Sequence, residues 1–154
     1  MACAITGMTP AEKSAVADTW KTLADQKKAN GVALFLQLFS THPNTFNYFK
    51  NFEGKTVDQV KDTADMRAHA CAVMYAIGSL VESLDDPECM VGLVKKVARN
   101  HKGRDIGKSQ FELLRGLYGS YLDKSLGGAA TPAVKAAWDK FFECFDNLVE
   151  KFQA

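Results

Sequence analysis

An all-α fold of six to eight helices in one domain is what this sequence predicts, and three observations carry that expectation. Helix-start signals recur along the chain, with a capping side chain set just before a proline or three residues before a glutamate or glutamine. Between them apolar residues return at steps of three and four, the period of one helical face. Strand signals, alternating runs of β-branched and aromatic residues between turns, are nearly absent.

Taken in order, Thr9 and Glu12 form a capping box with Pro10 at the first helical position, opening a helix over 10–24. A second helix follows over 28–41 and carries Phe35 and Phe39, and Pro43 starts a short one over 43–48. Thr56 with Gln59 opens a long helix predicted over 57–84, whose stripe is Met66, His69, Val73, Ile77, Leu80 and Leu84. Asp86 before Pro87 opens 87–101, with Met90, Val94, Val97 and His101 on one face. Ser109 with Glu112 reads as a further capping box for 109–126, where Phe111, Leu114, Leu117 and Tyr121 align. Gly127 and Gly128 end that helix, and Thr131 before Pro132 begins the last, over 132–152. Its stripe is Val134, Trp138, Phe141, Phe145, Leu148 and Phe152. No repeat, low-complexity run or long linker divides the chain, so residues 1–8 read as an N-terminal extension and 9–154 as a single domain.

Composition narrows the class. Lys plus Arg total 19 and Asp plus Glu 18, so no bulk charge favours a nucleic acid or a membrane surface. No apolar run approaches the roughly 18 residues that a membrane span needs. Residues 1–7 show no basic leader or apolar run, so no secretory signal is expected there. Cys3, Cys71, Cys89 and Cys144 are scattered without metal-binding spacing, which predicts reduced thiols and a cytoplasmic location. The ten phenylalanines suit a large core or a pocket for a flat apolar ligand, and the core is their ordinary place.

His69 and His101 occupy stripe positions where leucine or valine is expected. They stand 32 residues apart on consecutive helices joined by the short turn at 84–87, so converging apolar faces would aim both imidazoles into one pocket. Either histidine alone is more simply a satisfied core residue. Two at matched positions each need a partner for their ring nitrogens. Zinc would want three or four protein ligands, and Cys71 points elsewhere on its helix. A planar macrocycle supplying four equatorial nitrogens needs only one or two axial imidazoles. Phe35, Phe49, Phe52 and Val73 offer one wall of such a pocket, and Val97, Ile106, Phe111 and Leu114 the other, though each also reads as plain core. Lys96 and Arg104 beside His101 suit acidic groups on a cofactor's edge, or are solvated surface charge.

The series Trp20, Leu38, Phe39, His42, Pro43, Phe49, Phe52, His69, Gly78 and His101 resembles the globin pattern over nearly the whole chain. The stretches 25–34 and 97–101, and Arg104 after them, look most like intracellular globins of molluscs and other invertebrates. Resemblance implies the globin fold around haem b, with His101 as proximal iron ligand and His69 as distal residue, either touching bound oxygen or acting as sixth ligand. It assigns Phe49 to the near-invariant phenylalanine packed on the haem, and Gly31 to the small residue where the family's second and fifth helices cross. It implies that the other ring nitrogen of His101 donates to a carbonyl one turn back or to a side chain such as Asn100.

Reversible binding of dioxygen and other diatomic gases, for storage or transport, is then the expected function, in a monomer or a homodimer. A six-coordinate globin is the alternative within binding proteins. A nitric oxide dioxygenase or peroxidase is the enzymatic one, disfavoured because turnover needs a reductase for which these residues leave no length. Two departures bear on ligand binding. Phe35 is large where many globins carry leucine, and it acts by volume alone. Val97 is smaller than the usual leucine or phenylalanine, which argues against the aromatic subunit coupling of some molluscan dimers.

Overall fold

The computed structural model describes all 154 residues. Seven α-helices run α1 (Pro10–Asp25), α2 (Lys27–Thr41), α3 (Val57–Val60), α4 (Ala64–Glu82), α5 (Pro87–Lys102), α6 (Lys108–Leu126) and α7 (Pro132–Gln153), and there is no strand. Three short 3-10 segments, Pro43–Tyr48, Lys50–Phe52 and Gly127–Ala129, connect them. No helix is long and apolar enough to cross a membrane.

Most predicted starts are built as read. Thr9 and Glu12 satisfy each other's amides at the head of α1, Asp86 accepts from Cys89 N–H, and Thr131 accepts from Val134 N–H. Gly127 ends α6 in the left-handed region at φ 57°, a conformation that costs glycine little. Three expectations need correction. The helix predicted over 57–84 is two helices with a turn between Val60 and Ala64. Thr63 makes the break: its hydroxyl donates to Val60 C=O at 2.7 Å and accepts from Met66 N–H at 3.2 Å, ending one helix and capping the next. The segment after Pro43 winds as a 3-10 helix, with Thr45 Oγ1 bonded back to His42 C=O. Finally, α6 starts before Ser109, at Lys108. Gly107 is its N-cap, and the Gln110 side chain returns to Gly107 N–H at 2.8 Å, so the capping pair is Gly107 and Gln110 rather than Ser109 and Glu112.

The core forms where α7 lies against α1, α5 and α6, and where α2 crosses α4. Trp138 is the central ring of α7, fully buried, with its indole N–H donated to Thr19 Oγ1 at 2.9 Å. Residues 1–8 join this packing: Met8 is wholly buried, and Cys3 N–H bonds to Met8 C=O. At the α2–α4 crossing a Cβ on Gly31 would lie 2.9 Å from Ala70 O and from Met74 Cγ, so only glycine permits this approach. Gly31 stands one turn before Phe35, and Ala70 follows His69. The crossing that glycine allows is therefore what brings the Phe35 and His69 rings to 4.6 Å.

Candidate functional site

α4, α5 and the start of α6 enclose a cavity of about 480 Å³ roofed by α2 and the 3-10 segments. Phe35, Phe49, His69, Val73, His101, Arg104, Ile106 and Phe111 all line it, with Leu38, Phe52 and Leu114. The Val97 side chain packs on the core instead, while its backbone serves the site through the bond described below. Lys96 is exposed and outside the lining, and Asn100 is exposed as well.

One wall is aromatic by construction. Phe35, Phe39, Phe46, Phe49 and Phe52 touch in a continuous cluster, with Phe49 set edge-on to Phe35 at 5.8 Å. Phe35, Phe49 and Phe52 line the cavity on this side, and Phe39 and Phe46 pack behind them. His69 sits against them, its ring 4.6 Å from Phe35 and 4.8 Å from Phe49. Burial first, and then the electrostatic influence of the neighbouring His101 and Arg104 side chains, lowers its pKa to about 4. The ring is therefore neutral at pH 7, and its buried Nε2 has no partner in the protein.

The opposite wall fixes its imidazole through the backbone. His101 Nδ1 lies 2.8 Å from Val97 C=O, one turn earlier on α5. A carbonyl only accepts, so Nδ1 carries the proton and Nε2 keeps its lone pair. Phe111 packs edge-on to this ring at 5.2 Å and is backed by Phe145 at 5.1 Å. The peptide carbonyl of His101 accepts from Arg104 N–H and Ile106 N–H, and Asp105 takes a positive φ of 58° to close the corner. An exposed cationic rim is formed by Arg104 and Lys50.

Reading the sequence alone missed Thr45, Tyr48, Lys50, Asn51 and Gln110, which also line the cavity. Gln110 Nε2 donates to Tyr48 Oη at 3.3 Å, across 62 positions of sequence. Neither residue lies on an apolar stripe, so periodicity carries no signal for them. Tyr48 and Lys50 flank Phe49, and that adjacency is the one cue the sequence held.

A family model described as Globin matches residues 32–148. The chain is 40% identical over 136 residues to a globin of Tritia mutabilis, covering 86% of this chain and 92% of that one. It is 42% identical over 135 residues to a globin of Buccinum undatum, covering 86% and 92%. To Globin-1 of Anadara inaequivalvis it is 32% identical over 142 residues, covering 92% and 89%. Among solved structures, a double mutant of myoglobin from Aplysia limacina superposes with a TM-score of 0.86 at 25% identity, over 94% of this chain and 97% of that one. The chain belongs to the globin family, its fold is the globin fold, and its relatives are molluscan.

Proposed function

We propose that this globin holds haem b in the cavity between α4 and α5 and binds dioxygen there reversibly, for storage or short-range delivery. Family membership and the myoglobin-like fold support haem-based gas binding. The observation that carries the residue roles is the pair of imidazoles lining one apolar cavity, His101 fixed through its Nδ1 and His69 with a buried Nε2 that has no protein partner. A buried nitrogen without a partner is costly, and a bond to a metal or a hydrogen bond to a ligand would satisfy it. Zinc alone fits poorly, because no cluster of three or more histidine, cysteine or carboxylate groups is present. The aromatic walls fit a flat macrocycle, and the Arg104–Lys50 rim fits acidic groups at its edge.

Bound here, haem would supply a ferrous iron able to take a diatomic gas. In this reading His101 would hold the metal through Nε2, and the Nδ1–H bond to Val97 C=O would set its tautomer and raise its basicity. His69, kept neutral by burial, has an N–H to donate to a ligand that gains negative character. Phe35, Phe49 and Val73 exclude water and limit the space on that side. The four unpaired cysteines support a reducing, cytoplasmic setting.

The visible absorption spectrum of the reduced, gas-free protein tests this reading. One broad band indicates an open iron position; a colourless protein from a haem-replete host would sink the proposal. The unpartnered Nε2 of His69 also favours a second reading, in which His69 is itself the sixth ligand at rest. Sharp, split bands in the same spectrum would select it.

A further inference from the structure

The last turn of α7 reaches the corner between α5 and α6. Gln153 Nε2 donates to Ala98 C=O at 2.9 Å and to Ile106 C=O at 2.8 Å. Its Oε1 lies where a Cβ on Gly107 would come within 2.9 Å. In the same turn, the ring of Phe152 lies beneath the ammonium of Lys95 on α5 at 5.6 Å. The two carbonyls bracket His101. Ala98 precedes it by one turn and follows Val97, whose carbonyl accepts from His101 Nδ1–H. Ile106 lies beyond it, lines the cavity, and donates its own N–H to His101 C=O at 3.2 Å.

We propose that Gln153 is a positioning residue for His101. Its carboxamide spends both N–H donors on the backbone at either side of the imidazole, and so sets how the ring meets its ligand. No other side chain bonds to both flanks of this corner. A leucine would fill the space without donating, and a glutamate would set an acceptor against two acceptors. The inference rests on His101 being the haem ligand, and it adds that the C-terminal helix tunes that ligand.

The test uses full-length, haem-loaded protein, reduced and gas-free. Resonance Raman reads the iron–histidine stretching band, and transfer to an excess of a haem-scavenging apoglobin reads haem release. Gln153→Ala should move the band and speed release about tenfold, a size usual for groups that orient a metal ligand. Gln153→Glu should do more. Gly107 sits at φ −128°, open to any residue, so Gly107→Ala intrudes on Gln153 and should reproduce the shift. Added to Gln153→Ala, it should contribute nothing further, because the two act through one amide. The thermal midpoint of each apoprotein is measured alongside. A lower midpoint with band and release unchanged would overturn the proposal and leave Gln153 as a helix fastener. A wild-type protein that retains no haem would overturn the cofactor reading first, and this inference with it.

Discussion

At His101 the ring and the peptide carbonyl are both committed, one to Val97 C=O and the other to the amides of Arg104 and Ile106. Such a side chain has a single orientation to offer, which is what the proposed role as a metal ligand would require. His101→Ala is expected to lose haem or hold it loosely, seen as a vanished or shifted main absorption band on purification. His69 is bound differently: it is fixed by packing between Phe35 and Phe49 rather than by hydrogen bonds. His69→Leu keeps the apolar fill and removes the N–H, so haem retention should persist. Oxygen dissociation, followed by stopped flow, should quicken about tenfold or more, the worth of one hydrogen bond of roughly 1.5–3 kcal/mol to a charged partner. An unchanged dissociation rate would remove His69 from oxygen binding.

Among the elements, α4 matters most because it carries His69 and meets α2 at its closest approach. Gly31→Ala drives a methyl into a backbone carbonyl, which cannot yield as a flexible side chain can. Chemical denaturation should report a loss of about 1–3 kcal/mol, with altered gas-binding rates as the Phe35–His69 pair shifts. Thr63 was hidden inside what the apolar stripe presented as one helix, since the stripe at Met66, His69 and Val73 runs on regardless of a break upstream. Both hydrogen bonds of its hydroxyl sit at the α3–α4 boundary. Thr63→Ala should therefore cost about 1 kcal/mol, read by the same denaturation experiment.

Across the molecule, one buried charge stands apart from the pocket. Asp146 on α7 is 1% exposed, and neither carboxylate oxygen has a partner. Burial raises its pKa to about 7, partly offset by Arg115 and Lys108. The native state thus holds this proton more tightly than the unfolded chain does. The stabilising contribution is complete below the unfolded value near 4 and is lost as pH rises through about 7. Asp146→Asn should remove that loss, raising stability above pH 7 by on the order of 2–4 kcal/mol while changing it little near pH 4. Equal effects at both ends of the range would show that the carboxylate finds a partner in solution.

By itself the sequence determined most helix starts, the two histidines and much of the walls around them, because caps and a three-to-four periodicity are local physics that a stretch of chain can display. His69, Val73, His101 and Phe111 reach one cavity from the stripes the sequence displays, and Phe35, Phe49 and Ile106 line it with them. Tertiary structure alone decided what depends on distance across the fold. It set Gln110 against Tyr48, Gln153 across the corner that holds His101, and the Asp146 carboxyl away from water. A hydrogen bond between residues 62 or 47 positions apart leaves no period in the chain, since its geometry exists only after the helices have packed.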